Sequence, residues 1–518
     1  MAREEEMIKE RMRKIEELRK LKINPYPYSF DKTNNAQELQ AKYSKLKPEE
    51  KTKDKVAIAG RLMSVRLMGK INFASLQDDS GKIQIIIEEN TAGKKLIDFF
   101  SKYADAGDFA GIQGTIIRTK RGELSVNAEK IEILSKAILP LPEKWHGLQD
   151  MEERYRKRYL DLVMNPDVKK TFEARTKIIG AIREFMDLKG FMEVETPLLQ
   201  PVYGGAEARP FKTHMHELDV DMYLSISPEL YLKRLVAGGF EKVYTICKNF
   251  RNESIDKSHN PEFTMLECYS AYSDYEDMMQ LFEEIYEYVA KKVLGKTEVD
   301  YQGEKLEFKK PWKKVSMYDG LKKQGIDVKK ASDKELLKKA KELRLDVNEK
   351  TPRGLLIAEL AKKLVEPTLI QPTHLIDHTK ETTPLCKINR KNDELIERDE
   401  PFAFGMELGN IYSELNDPVL QKELLDEQEK MKKEEKHKQD NDFINALEYG
   451  MPPCGGLGLG IDRMAMLLTN SSSIRDVILF PFMKPQNVNS GGEGDKKSTR
   501  PQNADSEGKE AKASRPEK

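Results

Sequence analysis

The chain contains 518 residues with a mass of 59.6 kDa, a length that corresponds to roughly three to four domains of ordinary size. Charged residues make up 34% of the sequence, and 88 Lys plus Arg balance 88 Asp plus Glu. This excludes a single small binding module. Because the net charge is zero, a nucleic-acid partner would have to bind a local basic face.

Cysteine usage and hydropathy predict the compartment. The cysteines, Cys247, Cys268, Cys386 and Cys454, lie too far apart for a C-x-x-C pair, which argues against a zinc knuckle or a disulfide framework. No apolar run approaches the roughly 18 residues of a membrane span, and the first residues lack an apolar signal core. We therefore expect a cytoplasmic protein in a reducing environment, with no membrane partner.

The N-terminal region predicts a helix followed by a small β-barrel. Apolar residues at near-helical spacing predict a helix over 3–22, and the proline-containing segment 24–27 ends it. Runs rich in Val and Ile predict strands over 56–62, 71–76, 83–88, 109–117 and 124–134, with a helix over 95–103 before the fourth strand. This is the order of an OB-fold, a common reader of single-stranded nucleic acid, and another small β-barrel is the alternative.

The following region has the pattern of an α+β domain. Ile178, Ile182 and Phe185 share one face of a helix predicted over 172–189, and Gly190 ends it at a C-cap position. Strands are predicted over 191–195, 242–251, 263–272 and 406–415, and a helix-rich insertion over about 297–367 interrupts them. The predicted domains are 1–54 (N-terminal helix and linker), 55–138 (barrel), 139–485 (α+β domain) and 486–518 (a disordered polar tail).

The first candidate site is a hairpin around Arg251. Period-two alternation would place Arg251 and Glu253 on one face of the first strand, and Phe263, Glu267 and Tyr269 share a parity on the second. A planar guanidinium donates to phosphate oxygens in bidentate fashion, and an aromatic ring can stack on a purine, so this surface suits a nucleotide. Taken alone, the segment 250–253 is more typical of an amphipathic hairpin with a surface Arg–Glu pair.

The second candidate site contains paired carboxylates. Asn410, Tyr412 and Glu414 share one strand face, and Glu400 and Glu407 precede them. Carboxylates near a phosphate site usually bind Mg²⁺, which takes one or two of them and completes its shell with water and phosphate oxygens. Glu407 has the opposite parity to Glu414, so it requires a bulge or a position ahead of the regular strand. Taken alone, a half-exposed strand with solvated acids is the simpler interpretation.

Two further segments are ordinary when each is taken alone. The glycine-rich run 455–460 leads into Arg463 at the start of a predicted helix, but its spacing is wrong for a dinucleotide fingerprint, and a packing corner is the simpler interpretation. Residues 189–197 contain a helix that ends in glycine and a strand that ends in proline.

Together and in this order, these segments resemble the sequence motifs of class II aminoacyl-tRNA synthetases. Motif 1 resembles residues 190–197, motif 2 residues 250–263 and motif 3 residues 456–463. A preceding barrel is similar to the aspartyl, asparaginyl and lysyl subgroup. Within this subgroup, segments 146–161, 204–211 and 227–233 are most similar to the lysyl family. The resemblance implies an α+β protein with an N-terminal OB-fold β-barrel, followed by an antiparallel β-sheet catalytic domain with flanking helices.

The resemblance also implies an activity and its residues. The enzyme would activate lysine with ATP and Mg²⁺ and transfer it to the 3′ end of lysine tRNA. The catalytic residues would be Arg251, Glu253 and Arg463, with His259 and Phe263 completing the ATP site and Glu400 and Glu407 binding the metal as well as ATP. The lysine pocket would comprise Gly205, Glu229, Glu267, Tyr269, Asn410, Tyr412, Glu414 and Gly458. In that pocket Glu229 would take the α-ammonium, and Glu414 with Tyr269 the ε-ammonium.

The resemblance further implies an anticodon-binding barrel and a homodimer. Arg61, Phe73, Gln84 and Glu123 would lie on the anticodon face, and Phe73 inside the barrel is the alternative to stacking on a base. Motif 1 would form the twofold interface, to which we assign the apolar face of Ile178, Ile182 and Phe185.

Three rival functions are weighed against this one. An aspartyl or asparaginyl enzyme would need a cationic pocket or an amide reader where Glu229 and Glu414 stand. A non-canonical paralogue that binds only RNA or a protein partner would have no physical need for Arg251, Glu253 and Arg463. A ligase that adds lysine to a protein would lack the N-terminal barrel.

Overall fold

The structure is a computed structural model that describes residues 2–142, 148–431 and 440–485. The segment 486–518, which was predicted to be a disordered tail, lies outside these ranges. Residues 146–147, the start of the segment 146–161 that resembles the lysyl family, also lie outside them. No helix of the described residues is long and apolar enough to span a membrane. All four cysteines, which fall within the described ranges, are free thiols.

The N-terminal part forms a closed barrel with the strand order β1-β2-β3-β5-β4. The helix between the third and fourth strands and the antiparallel closure of β1 on β4 confirm the predicted OB-fold. The elements are α1 (Ala2–Lys20), α2 (Ala36–Lys42), β1 (Lys51–Met68), β2 (Ile71–Gln77), β3 (Lys82–Glu88), α3 (Glu89–Ala92), α4 (Lys94–Tyr103), β4 (Phe109–Arg118) and β5 (Leu124–Ser135).

Helix α1 is fastened to the barrel by a buried guanidinium. Arg11, whose exposed fraction is 5%, donates hydrogen bonds to the carbonyl oxygens of Ala106 (2.8 Å), Ala137 (2.8 Å) and Leu139 (2.9 Å). Leu18 on the same helix is fully buried. Two of the three carbonyls belong to the segment that leaves the barrel after β5, so α1 fixes the start of the connection to the second domain.

The second part is built around a large mixed sheet with the order β14-β15-β18-β20-β21-β11-β10-β6, and β19 pairs with β18. Its pairings are antiparallel except β14 with β15 and β10 with β6. The elements are α5 (Met151–Arg156), α6 (Arg158–Met164), α7 (Asp167–Leu188), β6 (Met192–Glu193), β7 (Leu199–Gln200), β8 (Lys212–Met215), β9 (Val220–Leu224), α8 (Glu229–Ala237), β10 (Lys242–Phe250), β11 (Glu262–Ala271), α9 (Tyr275–Leu294), β12 (Glu298–Tyr301), β13 (Glu304–Glu307), β14 (Lys313–Ser316), α10 (Met317–Lys323), α11 (Asp333–Glu342), α12 (Arg353–Leu364), β15 (Thr373–Ile376), β16 (Ile388–Asn389), β17 (Asn392–Ile396), β18 (Arg398–Ala403), β19 (Met406–Glu407), β20 (Gly409–Ser413), α13 (Pro418–Met431), α14 (Asn441–Glu448), β21 (Cys454–Gly460), α15 (Ile461–Leu468) and α16 (Ile474–Val477).

The helix predicted over 172–189 forms as α7, but its apolar face has a different role from the one assigned to it. Gly190 follows the helix at φ +77°, a left-handed conformation that favours glycine, and this confirms the predicted stop. Ile178, Ile182 and Phe185 are buried in the core of the same chain, where α7 packs against α9 and the sheet. The assignment of these side chains to a subunit interface was therefore wrong.

Two other predicted segments differ from the structure. The strand predicted over 191–195 contains only Met192–Glu193, because β6 is an edge strand and Pro197, soon after it, has no N–H to donate. The insertion predicted as helix-rich opens with the hairpin β12–β13, and its first helix, α10, begins at Met317. Gln302 and Gly303 both have positive φ, as the central residues of a two-residue hairpin turn require.

The anchoring of α1 leads to a stability prediction. Replacing Arg11 with Ala should leave buried carbonyls without donors and lower the opening free energy of α1 by at least about 2 kcal/mol, which corresponds to roughly thirtyfold faster amide exchange. Hydrogen–deuterium exchange of the α1 peptides measures this change.

The matched control is Arg13→Ala on the same helix. Arg13 makes exposed ion pairs with Glu10 and Glu17, so its loss should change the amide exchange rates of α1 by no more than about threefold. Equal exchange rates in the two variants would show that the three carbonyls do not hold the helix.

Candidate active site

The side chains assigned to ATP and lysine meet in one cavity of about 570 Å³. Its walls come from α8, the loop between β10 and β11, strands β11 and β18 to β21, and the start of α15. The cavity is lined by every one of these residues: Gly205, Glu229, Arg251, Glu253, His259, Phe263, Glu267, Tyr269, Glu400, Glu407, Asn410, Tyr412, Glu414, Gly458 and Arg463.

At one end of the cavity an arginine lies over an aromatic ring. The Arg251 guanidinium is 5.1 Å from the centre of the Phe263 ring. Strand β10 ends at Phe250, so Arg251 and Glu253 lie in the connecting loop. The prediction from alternation, which placed both residues on one face of a strand, was therefore wrong. The Arg251 N–H still donates to the Pro261 carbonyl (2.9 Å), which extends the hairpin by one step and holds the guanidinium beside β11.

The rest of this loop is exposed and polar. His259 lies with its Nδ1 atom 2.9 Å from an Asp256 carboxylate oxygen. Burial raises the pKa of Asp256, but hydrogen bonds from Ser258 and His259 outweigh burial and hold that pKa at about 2. The loop therefore keeps a charged carboxylate that orients the imidazole at the mouth of the cavity.

Two carboxylates and two guanidiniums lie along the next wall. Glu400 on β18 forms an ion pair with Arg398, and Glu407 on β19 lies 3.5 Å from Arg463, which also donates to the Glu407 carbonyl. Glu407 belongs to a short strand separate from β20, so the expectation that it precedes the regular strand is confirmed. Burial first, and then the charges of Glu400 and Glu407, raise the pKa of Glu366 to about 8.

Among the described residues, no cluster of three or more His, Cys, Asp or Glu side chains is arranged to hold a metal ion. Two carboxylates are nevertheless enough for a magnesium ion whose other ligands are phosphate oxygens and water. Glu400 and Glu407 both line the cavity, so their oxygens can reach an ion bound there. The residues present therefore fit a magnesium ion that arrives with a nucleotide.

The other end of the cavity is a nest of buried carboxylates. Lys233 on α8 places its Nζ atom 2.6 Å from Glu229 Oε1 and 2.5 Å from Glu414 Oε2. The Tyr269 hydroxyl donates a hydrogen bond to Glu267 Oε2 at 3.5 Å. This end of the cavity therefore carries more acids than bases.

Glu267 differs from its neighbours in protonation. Burial, followed by the nearby charge of Glu229, raises the pKa of Glu267 to about 8, against the hydrogen bond from the Ser227 hydroxyl (3.0 Å) and the charge of Arg251. At neutral pH this carboxyl group is largely protonated. It can then donate a hydrogen bond as well as accept one.

A chain of hydrogen bonds joins the two ends of the cavity. Arg398 Nε donates to Asn410 Oδ1 (3.1 Å), and Asn410 Nδ2 donates to the Tyr412 hydroxyl (2.9 Å). Arg398 also pairs with Glu400, so one guanidinium contacts the carboxylate wall and the amide of the opposite end.

Sequence reasoning missed Lys233 and Arg398. Lys233 follows Glu229 by four residues, a spacing that on a helix is more typical of an exposed ion pair than of a buried one. Arg398 precedes Glu400 by two residues and so shares its strand face, a signal that could have placed it beside the metal carboxylate.

The residues assigned to an anticodon face lie on the barrel, away from the cavity. Phe73 is half-buried on the outer surface, while Ala74 and Leu76 of the same strand enter the core, so the alternative that Phe73 packs inside the barrel was wrong. Gln84 lies on the neighbouring strand opposite Ser75, and its other neighbour on β5 is Ser125.

The remaining two residues of that face differ in their contacts. Glu123 is exposed immediately before β5. The Arg61 guanidinium lies 4.2 Å from the centre of the Phe109 ring and donates to the Gly107 carbonyl (2.8 Å). Arg61 is thus partly occupied by contacts within the barrel, whereas Glu123 is open to solvent.

A barrel of OB-fold order, followed by a mostly antiparallel sheet that borders a cavity with arginines, paired carboxylates and an anionic pocket, defines a class II synthetase architecture. Residues 150–484 match the family described as tRNA synthetases class II (D, K and N), and residues 56–134 match the OB-fold nucleic acid binding domain. The chain belongs to this class II family.

The similarity to other proteins covers nearly the whole chain. A lysine–tRNA ligase from Carboxydothermus hydrogenoformans is 50% identical over 486 residues, which are 93% of this chain and 98% of that protein. The lysine–tRNA ligase of Clostridium novyi is also 50% identical, over 92% of this chain and 94% of its own length. The Thermotoga maritima lysine–tRNA ligase is 48% identical over 93% and 96% of the two chains.

Proposed function

We propose that this chain catalyses the reaction for which these relatives are named, the ATP-dependent attachment of lysine to tRNA. The observation that carries the proposal is the single cavity in which buried carboxylates at one end face guanidiniums and an aromatic ring at the other. The carboxylates suit a diamine, and the guanidiniums with the ring suit a nucleoside triphosphate.

Charge balance explains the choice of lysine. Glu229 and Glu414 face the single ammonium of Lys233, so this end of the cavity has more carboxyl groups than cations to pair with them. Lysine has two ammonium groups and one carboxylate, so it supplies the opposite charge. An uncharged analogue of similar shape would leave a buried carboxylate unpaired, which is the strongest basis for discrimination.

The nucleotide occupies the other end of the cavity. Arg251 holds the α-phosphate, Arg463 holds the γ-phosphate, and the Phe263 ring stacks on the adenine, with Glu253 and His259 at the rim. Glu400 and Glu407 would hold a magnesium ion, and that ion would supply positive charge beside the phosphates. Arg251 must move away from the Phe263 ring to leave that ring face free for the base.

The chain's own groups position the reactants and do little proton transfer. The lysine carboxylate attacks the α-phosphorus of ATP in line with the leaving pyrophosphate, and Arg251 stabilises the charge that develops on the α-phosphate. The 3′-terminal hydroxyl of the tRNA then attacks the carbonyl carbon of the lysyl-adenylate, and AMP leaves. The buried carboxylates keep the substrate ammonium groups fixed during both steps.

The rival functions fit the cavity less well. The side-chain carboxylate of aspartate would be repelled by Glu414, and the side-chain amide of asparagine would leave Glu414 without a cationic partner from the substrate. A paralogue that only binds RNA or a protein partner would gain nothing from Arg251 and Arg463 beside a buried carboxylate nest. Such a paralogue remains the second candidate, and the same assay separates it.

ATP–pyrophosphate exchange with each of the twenty amino acids tests the proposal, and Glu414→Gln tests its pocket. The parental protein should support exchange with lysine alone. Replacing Glu414 with Gln should reduce kcat/KM for lysine by about 2–4 kcal/mol of transition-state stabilisation, because a buried ammonium loses its charged partner. The KM for ATP should change little.

Glu397→Gln is the matched control, because Glu397 is also buried but is paired with Arg390 and Ser413 outside the cavity. Its lysine kcat/KM should stay within about threefold of the parent. Exchange with another amino acid, or a lysine kcat/KM in Glu414→Gln as high as in the control, would contradict the lysine pocket.

The barrel is proposed to bind the anticodon loop through the face that carries Phe73, Gln84 and Glu123. The half-buried ring on the outer surface can stack on an unpaired base. Gln84 can donate to and accept from a base edge, whereas Glu123 can only accept when ionised. Arg61 would have to leave its contacts with Gly107 and Phe109 to join them.

Replacing Phe73 with Ala should therefore weaken tRNA binding by about 1–3 kcal/mol, the usual effect of removing one stacked base contact. The KM for lysine tRNA in aminoacylation should rise, while pyrophosphate exchange, which needs no tRNA, should stay unchanged. Phe99→Ala, which removes a partly buried ring from α4, is the control for loss of an aromatic contact in the barrel. An equal rise of KM in both variants would place tRNA recognition elsewhere.

We also propose a homodimer, built on a surface other than the α7 face. The small sheet formed by β7, β9 and β8 exposes Leu199 (45%), Val220 (39%) and Met215 (41%) close to the motif 1 segment. Exposed apolar side chains grouped on one surface are typical of an interaction site. A second copy would cover them through the twofold contact that is commonest in closed oligomers.

Sedimentation equilibrium at micromolar concentration should give twice the 59.6 kDa chain mass. Leu199→Glu should shift the population toward the monomer, while Leu67→Glu, at an exposed position of the barrel, should not. A parental protein that sediments as a monomer would overturn the proposal.

A further inference from the structure

Lys233 is a charged group in contact with the cavity walls that the reaction above does not use. It projects from α8 with none of its side-chain surface exposed, and its ammonium contacts the carboxylates of Glu229 and Glu414. Both glutamates line the cavity, whereas Lys233 does not. The ammonium therefore reaches the two carboxylates from the protein interior, behind the wall that a substrate would touch.

We infer that Lys233 is a positioning residue for lysine recognition, which holds Glu229 and Glu414 close together and favours the charged form of Glu414 before the substrate arrives. The inference rests on the proposed activation of lysine. It assigns to Lys233 no contact with the substrate. Its effect passes through the two carboxylates, so a loss of Lys233 acts on the binding of the substrate ammonium groups.

The physical reason is the cost of two like charges in a buried site. Carboxylates that share one site cannot both stay ionised without a cation, so one of them takes up a proton. Burial raises the pKa of Glu414, and the charge of Lys233 opposes that rise. Burial also lowers the pKa of Lys233, but the two carboxylates outweigh it and hold that pKa above its ordinary value.

The other groups around this triad cannot replace Lys233. Glu267 and Tyr269 face it from β11, Tyr412 from β20, and the thiols Cys386 and Cys454 lie on the side of Glu414. None of these is a cation. The cations nearest to them are Arg251, Lys387 and Arg398, and within the described ranges none forms an ion pair with Glu229 or Glu414.

A purely structural role for Lys233 predicts a different experimental result. If its side chain served only to fill space in α8, a neutral residue of similar length would preserve lysine binding and its pH dependence. If its charge holds the carboxylates ionised, the same substitution must move the pH dependence of lysine binding to higher pH. The pH profile therefore separates positioning by charge from packing.

The test measures pyrophosphate exchange between pH 6 and 9 in the full-length parent and in Lys233→Met, which keeps the length of the side chain and removes the charge. At pH 7 the KM for lysine should rise at least about tenfold, with kcat changed by less than about threefold, as for a loss of ground-state binding. The pH at which kcat/KM for lysine is half-maximal should move up by at least about one pH unit, because the unpaired carboxylates bind protons more tightly.

Lys136→Met is the matched control. Lys136 is likewise without exposed side-chain surface and lies 2.6 Å from Asp105 and 2.5 Å from Asp108, but in the barrel. Its replacement removes a buried ammonium from two carboxylates far from the cavity. The KM for lysine and the half-maximal pH should therefore match those of the parent.

Each outcome of this experiment tests either the proposed function or the role of Lys233. A parental protein without lysine-dependent exchange would overturn the proposed function itself. With an active parent, a Lys233→Met enzyme whose KM and half-maximal pH equal those of the parent would overturn the role of Lys233. Folding is checked with a second neutral variant, Lys233→Gln, and by measuring the binding of ATP to each variant. If both neutral variants lose the fold and the binding of ATP, Lys233 is a stabilising residue and the inference is wrong.

Discussion

The shape of the cavity depends on Gly456 of β21, which has no side chain. A Cβ atom at Gly456 would lie 2.0 Å from Glu414 Oε1 and 2.6 Å from the Tyr269 ring, so any other residue would expel the carboxylate from its place. On the neighbouring strand, a Cβ at Gly409 would lie 2.7 Å from the ring of Phe282, which belongs to the core under the sheet. The glycines thus allow the sheet to carry a buried acid on one face and close aromatic packing on the other.

This geometry removes water from buried carboxyl groups, and the neighbouring polar groups of the site must stabilise them instead. A carboxylate against a glycine strand is desolvated, and burial raises the pKa of Glu267 and Glu414 alike. Glu267 responds by holding its proton at neutral pH, with the Ser227 hydroxyl hydrogen-bonded to it. Glu414 instead shares the ammonium of Lys233 with Glu229, so the two carboxyl groups, which lie on either side of β21, have different partners.

Much of the site could be predicted because strand alternation is strict. The shared parity of Phe263, Glu267 and Tyr269 was enough to place them on one surface, and the opposite parity of Glu407 correctly required a break before β20. The OB-fold order and the end of α7 at Gly190 followed from equally local signals, hydrophobic alternation and a left-handed cap.

The failures share a different cause, since each depends on what a residue packs against. The spacing of Ile178, Ile182 and Phe185 shows a buried helix face, but periodicity does not say whether α9 or a second copy covers it. Glu229 and Lys233 have the spacing of a surface pair, and only the position of α8 under β11 shows that they are buried. Arg251 falls just beyond the end of its strand, where parity no longer applies.

Arg398 links the two ends of the cavity, and the number and type of its hydrogen-bonding groups are enough to define this link. A guanidinium has only donors, so Arg398 fixes the Asn410 amide with its oxygen toward the arginine and its nitrogen toward the Tyr412 hydroxyl. The same guanidinium is paired with Glu400 in the carboxylate wall. The orientation of a polar group in the anionic pocket is therefore set by a residue whose other partner belongs to the proposed metal site. A cation bound at Glu400 would compete with Arg398 for that carboxylate. Asn410 and Glu400 thus share one guanidinium as a partner.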